Sequence, residues 1–326
     1  MNSIDFSEDG SLLVCADDNT LIIYDAINAK KVKTLFNKVN GIKNVRFTHS
    51  NEAVICSTKH PPCKYSPWIN GFCWLESGSS SIKPKKSILS FLDEIFYWSV
   101  HENEIIKIFE GHQEPVTTLF MNPSDDSFVS IGGESELKVF NLESSHSKPI
   151  SKLNLAEEAC KMAANFDSTG VVLAVSVYCT KTNKNRIDLF DVKKYSEGRF
   201  DLWRIDGIKQ IKMIKFSSNG TYILAATHGA NIIILDAFEG KKLQILTGFT
   251  NDLGTKLEAS FSADSRYVIG GSDDGSILVW DVDSGSQIAK LEGHVKPCRN
   301  VKFSSNFVMM ASACQNVILW IPKFWS

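Results

Sequence analysis

The sequence predicts an all-β fold, a seven-bladed β-propeller, from three observations. A sequence pattern that predicts a strand, a turn and a second strand occurs seven times. Each copy has a key apolar position, and these positions are residues 6, 47, 121, 166, 216, 261 and 303. These positions are 41, 74, 45, 50, 45 and 42 residues apart, and one propeller blade of four short strands needs ~40–45 residues. Each copy ends in an aromatic or apolar residue that is followed, in most copies, by Asp or Asn.

The first copy shows the elements of the repeated pattern. Residues 4–10 lead into the apolar run 12–14, an acidic turn follows at Asp17-Asp18, and the apolar run 21–24 ends at Asp25. The third strand of each copy is predicted to end at one of seven dipeptides: Tyr24-Asp25, Trp98-Ser99, Phe140-Asn141, Phe190-Asp191, Leu235-Asp236, Trp280-Asp281 and Trp320-Ile321. Segments 31–36 and 104–109 are candidates for outer strands. One such sheet cannot bury both of its faces, and stacking seven sheets radially buries them against one another.

The period, the Trp-Asp dipeptides and the Gly-His dipeptides 111–112 and 293–294 are typical of WD40 repeats. We expect structural roles at the corresponding repeat positions, which are Asp18, His112, Ser272, Asp274, Trp280, His294, Ser312 and Trp320. The His–Ser–Asp–Trp network of such repeats is incomplete in this chain. Copy six has Phe249 where His is expected, and copy seven has Cys314 near the Asp position.

The 74-residue spacing predicts an insertion at residues 61–92, between strands two and three of blade 2. The segment holds four of the nine prolines, which disfavour pairing within a sheet, and a basic cluster at Lys83, Lys85 and Lys86. Two interpretations stay open. The segment is a lineage-specific or wrongly annotated insertion, such as a translated intron, or it is an appendage that binds a partner or directs nuclear import.

A second irregularity concerns the last blade, which has no candidate for an outermost strand after Trp320. In closed propellers the segment before the first inner strand usually supplies this strand, and Met1 already stands at that strand. We therefore expect the closing N-terminal strand to be missing, by truncation of the chain. The alternative is a three-stranded blade with an unpaired edge, which could dock a partner's strand. The prediction is thus a single WD40 propeller over residues 1–326.

Composition and motifs argue against an enzyme. The chain has 35 basic and 37 acidic residues and a net charge of −2, unlike a dedicated nucleic-acid binder. Neither HExxH, GxSxG nor a phosphate-binding GxxxxGK[ST] loop occurs. The eight cysteines form no CxxC pair and are expected to be free or buried thiols. We expect no catalytic residues, cofactor or metal, no membrane association and no direct contact with nucleic acid.

Four stretches depart from a generic WD40 repeat and resemble the WD repeat-containing protein 82 family, the Swd-two-type subunits of the COMPASS histone methyltransferase assembly. They are residues 46–49, 233–240, 257–261 and 311–322. The likeness spans nearly the whole chain except residues 61–92. It implies a nuclear, non-catalytic adaptor that binds the SET-domain methyltransferase of histone H3 lysine 4 and other subunits of that assembly.

The resemblance also implies a link to the phosphorylated C-terminal repeats of RNA polymerase II, and in several lineages to mRNA cleavage and polyadenylation factors or a type-one phosphatase. Phosphate recognition needs cations with suitably placed donors. On the face where inner strands begin, the candidates are Lys161, Lys209, Lys212, Lys296 and Arg299. They could equally be scattered, solvated side chains. A different scaffold class, such as a substrate receptor of a ubiquitin ligase, is the alternative function.

Overall fold

A computed structural model describes residues 1–37, 41–58, 94–155, 160–252, 254 and 256–322. These residues form seven antiparallel sheets arranged as the blades of a β-propeller, which confirms the predicted fold. Within each sheet the strands pair in chain order, so the first strand is innermost and the last is outermost. The described residues contain one helical segment, a short 3₁₀ turn at Val192–Glu197, and no helix among them is long and apolar enough to cross a membrane.

Each of the first four blades is a four-stranded sheet. Blade 1 has β1 (Ser3–Phe6), β2 (Leu12–Asp17), β3 (Thr20–Asp25) and β4 (Lys30–Phe36). Blade 2 has β5 (Ile42–Phe47), β6 (Ala53–Thr58), β7 (Ile95–Ser99) and β8 (Glu104–Phe109). Blade 3 has β9 (Thr118–Met121), β10 (Ser127–Ile131), β11 (Glu136–Asn141) and β12 (Ser151–Asn154). Blade 4 has β13 (Cys160–Phe166), β14 (Val172–Cys179), β15 (Lys184–Asp191) and β16 (Arg199–Ile205).

The remaining three blades follow the same order. Blade 5 has β17 (Ile211–Phe216), β18 (Tyr222–Thr227), β19 (Ile232–Asp236) and β20 (Lys242–Leu246). Blade 6 has β21 (Ala259–Phe261), β22 (Tyr267–Gly271), β23 (Ile277–Asp281) and β24 (Gln287–Leu291). Blade 7 has β25 (Asn300–Phe303), β26 (Met310–Ala313) and β27 (Val317–Trp320), and its described part therefore has three strands.

Local hydrogen bonds in the turns explain the repeated sequence pattern. All seven inner strands end at the predicted key positions, and the residue that follows often caps the turn. In blade 1 the hydroxyl of Ser7 accepts a hydrogen bond from the Leu12 amide at 2.9 Å and donates to Asp9 at 2.7 Å. The Asp at the end of the third strand caps the next turn, as in Asp281, which accepts from the Ser284 amide at 2.9 Å. Such side-chain bonds to nearby backbone favour turns over continued strand.

The core lies between the blades, as stacked sheets require. Ile23 of blade 1 packs with Val45 and Trp98 of blade 2 in one buried cluster. The ring closes in the same way, because Ile4 and Leu13 of blade 1 share a buried cluster with Met309 and Ala311 of blade 7. The predicted insertion at residues 61–92 falls on residues outside the described part of the chain and stays a prediction. The strands on either side of it, β6 and β7, pair directly.

Candidate functional site: the two ends of the central channel

The seven inner strands surround a central channel with two distinct ends. We define the upper face as the one where inner strands begin and the lower face as the one where they end. One cavity of about 250 Å³ is lined by residues at the beginnings of inner strands, and another of about 370 Å³ is lined by residues at their ends. Both cavities are lined by several basic side chains, although the whole chain has a net charge of −2.

The upper cavity contains two of the five predicted phosphate-binding residues. Lys161 is exposed at the beginning of β13, and Lys212 is half-buried at the beginning of β17. Lys43 and Lys256, which were not predicted from the sequence, line the same cavity. Burial lowers the pKa of Lys212, and its ammonium donates a hydrogen bond to the carbonyl of Gly254.

The other three predicted residues lie on the upper face but outside the lining of this cavity. Lys209 is exposed next to Gly229, in the loop that leads into β17. Lys296 and Arg299 are exposed in the loop that leads into β25, and the Arg299 carbonyl accepts the Glu258 amide at 2.8 Å. The five residues thus share one face, and two of them share one cavity.

The channel contains buried charges between its two ends. Arg46 of β5 and Glu258, just before β21, are each 6% exposed. The Arg46 Nη1 donates to Ser3 Oγ at 2.9 Å and to the Val45 carbonyl at 2.7 Å, and Nη2 lies 3.8 Å from Glu258 Oε1. The guanidinium also lies over the Phe120 ring, 4.7 Å from its centroid. Packing and hydrogen bonds therefore fix the plane of this guanidinium.

Two lysines extend the basic wall of the lower cavity. Lys302 pairs with Asp5, whose second oxygen accepts the Phe47 amide at 2.8 Å. Lys215 donates to the Ala259 carbonyl at 2.9 Å. Burial lowers the pKa of Lys215 to about 8, because removing an ammonium from water disfavours its charged form.

Glu258 shows how strongly the channel favours negative charge. Burial alone would raise the pKa of this carboxyl, but the surrounding cations lower it overall. Those cations are Lys215, Arg46, Lys256 and Lys302. The carboxylate is therefore ionised and compensates only part of the positive charge around it.

The structural repeat positions form a hydrogen-bonded network most completely in blade 7. His294 Nε2 lies 2.7 Å from Ser312 Oγ, and Trp320 Nε1 donates to the same hydroxyl at 2.7 Å. Cys314 Sγ lies 3.1 Å from His294 Nδ1 and takes the place expected for Asp. Gly293 is needed beside this network, because a Cβ there would come within 2.9 Å of the Trp320 ring.

Blade 6 arranges its repeat residues differently. Phe249 packs edge-on against Trp280 with ring centroids 5.9 Å apart, and the Trp280 Nε1 donates to the Thr247 carbonyl at 3.0 Å. Ser272 Oγ accepts the Thr250 amide at 3.0 Å. Burial tends to raise the pKa of Asp274, but hydrogen bonds from Ser276 and Lys290 hold it well below its usual range. Phe249 thus replaces the expected histidine by apolar packing.

His112 of the third copy bonds to Ser130 Oγ through Nε2 at 2.6 Å and to Glu134 Oε1 through Nδ1 at 2.5 Å. Glu134 also pairs at 2.6 Å with Lys138, which is 1% exposed.

Asp18, in blade 1, has a positive φ of 34° in the turn between β2 and β3, and its carbonyl accepts the Ile42 amide at 2.5 Å. These positions stabilise turns and blade contacts.

Sequence reasoning missed the channel charges Arg46, Lys215, Glu258 and Lys302. A signal for three of them was present in the repeats. Arg46, Lys215 and Lys302 each stand immediately before the key aromatic of their copy, as Asp5 does in the first. Equivalent positions of propeller blades surround one axis, so charges at one repeat position come together in the channel.

Comparison with known proteins gives a consistent result. Residues 1–25 and 240–281 match the WD40 family, described as WD domain, G-beta repeat. WD repeat-containing protein 82 of Drosophila melanogaster is 30% identical over 326 residues, covering 99% of this chain and 90% of that protein. COMPASS component SWD2 of Saccharomyces cerevisiae is 25% identical, covering 98% of this chain and 90% of that protein. The solved β-propeller domain of Myceliophteria thermophila Cps50 (Swd1) superimposes with a TM-score of 0.73 at 11% identity, covering 99% of this chain and 97% of that one.

Proposed function

This chain belongs to the WD repeat-containing protein 82 family, and on that premise we propose that it is a non-catalytic scaffold subunit of a COMPASS-like histone H3 lysine-4 methyltransferase complex in the nucleus. The observation that carries the proposal is similarity over almost the full length to a protein named as a COMPASS component. A second relative, from Schizosaccharomyces pombe, is named as a Set1 complex component and is 26% identical over 74% of this chain. A propeller presents loops and strand edges on which several partners can assemble.

We further propose that the upper face binds the phosphorylated C-terminal repeats of RNA polymerase II. Lys161 and Lys212 share the upper cavity with Lys43 and Lys256, and Lys209 is exposed on the same face. Charge-assisted hydrogen bonds from such ammonium groups to phosphate oxygens are roughly twice as strong as neutral ones. Phosphorylation of the repeats would therefore increase their affinity for this face.

Affinity purification of the tagged protein from its own cells, followed by mass spectrometry, tests the assembly. We expect the SET-domain methyltransferase and its companion subunits to be recovered. Cleavage and polyadenylation factors or a type-one phosphatase among the recovered proteins would extend the proposal to those complexes. Recovery of cullin and adaptor subunits without the methyltransferase would identify a ubiquitin-ligase receptor instead and overturn the proposal.

Fluorescence anisotropy with a polymerase C-terminal-repeat peptide, phosphorylated or not, tests the upper face. We expect the phosphorylated peptide to bind more tightly, and the double substitution of Lys161→Glu and Lys209→Glu to weaken it by about ten-fold, equivalent to ~1.4 kcal/mol. The matched control is Lys193→Glu, which changes an exposed lysine in the 3₁₀ turn of blade 4. Equal affinity for the two peptides would refute phosphate recognition by this face.

A further inference from the structure

The wall of the channel contains more positive than negative charge. Four cations, Arg46, Lys215, Lys256 and Lys302, act on the Glu258 carboxylate, and Asp5 is the partner of Lys302. Arg46, Lys215 and Lys302 line the lower cavity, whereas Lys256 lines the upper one. A concave, low-dielectric wall concentrates the field of such charges and attracts anions.

Hydrogen-bonding capacity in this cluster is unused. The Nε of Arg46 is fully buried and has no hydrogen-bond partner within the described residues. Its Nη2 lies 3.8 Å from Glu258, which is too far for a hydrogen bond. The Lys215 ammonium donates to one carbonyl, and in the described part of the chain no carboxylate oxygen lies within 4.0 Å of it. A buried donor without a partner is energetically unfavourable, so a ligand that accepts from these groups would be stabilised.

The cavity that this cluster lines has room for a small anion. The lower cavity, of about 370 Å³, is lined by Arg46, Lys215 and Lys302, by the rings of Phe120 and Phe216, and by the carboxylates of Asp5 and Glu8. Glu8 lies 3.2 Å from His49 Nδ1 at the same cavity. It is bordered by residues that follow the inner strands, such as Thr48 and Ser304, and therefore opens at the lower face. The aromatic rings exclude water from part of the wall, and this exclusion strengthens charge–charge interactions inside.

We propose that the lower cavity is a binding site for a phosphate-type anion, held by Arg46, Lys215 and Lys302. A guanidinium with a fixed plane and free donors matches the geometry of phosphate oxygens, and the two ammonium groups add charge without directional demands. The group could belong to a small phosphorylated molecule or to a phosphorylated side chain of a partner. The site is separate from the upper face and does not rest on the proposed function.

Thermal unfolding of the intact protein in inorganic phosphate, with chloride at equal ionic strength as the reference, tests the site. Ligand that binds only the folded state raises the unfolding temperature in a concentration-dependent way. We expect phosphate to raise it beyond chloride and O-phosphoserine to do the same. A stronger effect of O-phosphoserine would favour a phosphorylated side chain as the source, and a stronger effect of inorganic phosphate would favour a small molecule.

Two substitutions locate the binding. Lys215→Met keeps most of the length of the side chain and removes its charge, and it breaks no close ion pair within the described residues, because the Lys215 ammonium donates only to the Ala259 carbonyl there. We expect it to weaken phosphate affinity at least ten-fold, whereas Lys215→Arg retains binding. Lys302→Met acts at a side chain that is 31% exposed and leaves Asp5 without this partner, so it weakens affinity as well.

The matched control is Lys193→Met, which changes an exposed lysine in the 3₁₀ turn of blade 4, away from the lining of both cavities, and is expected to leave phosphate affinity unchanged. The unfolding temperature without phosphate shows whether each variant is folded, and Lys302→Met keeps the test decisive if Lys215→Met does not fold. Equal shifts in phosphate and chloride, or unchanged affinity in both lysine-to-methionine variants, would overturn the proposal.

Discussion

His294 and Ser312 are joined by a 2.7 Å contact between the imidazole Nε2 and the hydroxyl Oγ, and that hydroxyl also accepts from Trp320. His294 precedes the inner strand of blade 7, Ser312 lies in its second strand and Trp320 ends its third. One buried hydroxyl thus connects a loop to two strands. The remaining ring nitrogen, Nδ1, faces the sulfur of Cys314 at 3.1 Å instead of a carboxylate.

Because Cys314 rather than a carboxylate lies beside His294, we expect blade 7 to lose stability when the pH falls. Burial lowers the pKa of His294, so below its unfolded value of about 6.5 the unfolded state takes up the proton first. The His294 contribution to the free energy of unfolding is therefore complete above that pH and is lost as the pH falls below it. Cys314→Asp places an anion beside Nδ1 and favours the protonated ring, so we expect a smaller loss of stability between about pH 7.5 and 5.5.

Urea unfolding at both pH values measures the free energy of unfolding of each variant. The difference between the two pH values for the same variant is the loss, and taking it cancels the cost of the substitution itself. His294→Gln is the control, because it cannot titrate and should lose less stability on acidification than the natural chain. A Cys314→Asp chain that loses as much as the natural one would contradict the assignment.

Glu134 is predicted to be the central group of the blade 3 network. It accepts from His112 at 2.5 Å and from the buried Lys138 at 2.6 Å. Burial would raise the pKa of Glu134, but these bonds lower it to about 2. The carboxylate therefore adds stability above about pH 4.5, and this stability is lost as the pH falls toward 2. Glu134→Gln should cost ~1–3 kcal/mol at pH 7, because Lys138 keeps only Glu136, at 2.9 Å, as its carboxylate partner among the described residues.

The matched control is Glu136→Gln. Glu136 pairs with the same ammonium, but its side chain is 34% exposed, so we expect a cost below ~1 kcal/mol. Chemical denaturation at pH 7 compares the two variants directly. Equal losses in the free energy of unfolding would contradict the prediction that Glu134 is the central group of the blade 3 network.

The repeat register predicted the ring and the boundaries of its strands, but it did not predict how the charges pair. The key positions 6, 47, 121, 166, 216, 261 and 303 end the seven inner strands as expected, because burial between blades demands the same pattern in every copy. Glu134 was not predicted, because its role comes from the buried Lys138 beside it, and the repeat pattern does not show that this lysine is buried. Lys209, Lys296 and Arg299 lie outside the upper cavity, since sequence spacing places a residue on a face but does not fix the direction of a long, exposed side chain.

In blade 6, we expect that placing the expected histidine at position 249 does not increase stability. Phe249 is 5% exposed and packs on Trp280, while Ser272 already accepts from Thr250 and Trp280 donates to Thr247. Phe249→His would bury a ring whose nitrogens find these partners occupied. We expect a loss of ~1–3 kcal/mol in the free energy of unfolding, from lost apolar burial and unsatisfied polar atoms. Denaturation against the natural chain checks it, and a gain in stability would show that the network can rearrange.

Two glycines with the same backbone conformation separate strain from steric overlap. Gly240 has a φ of 67° and Gly220 a φ of 72°, a region that favours glycine. A Cβ on Gly240 would overlap the indole of the buried Trp203, whereas a Cβ on Gly220 would have no described neighbour within 4 Å. Gly220→Ala should therefore cost only the backbone term of ~1 kcal/mol, and Gly240→Ala should cost ~1–3 kcal/mol more, because Trp203 must move. Thermal and urea unfolding of both variants measure the difference, and equal costs would mean that Trp203 yields without penalty.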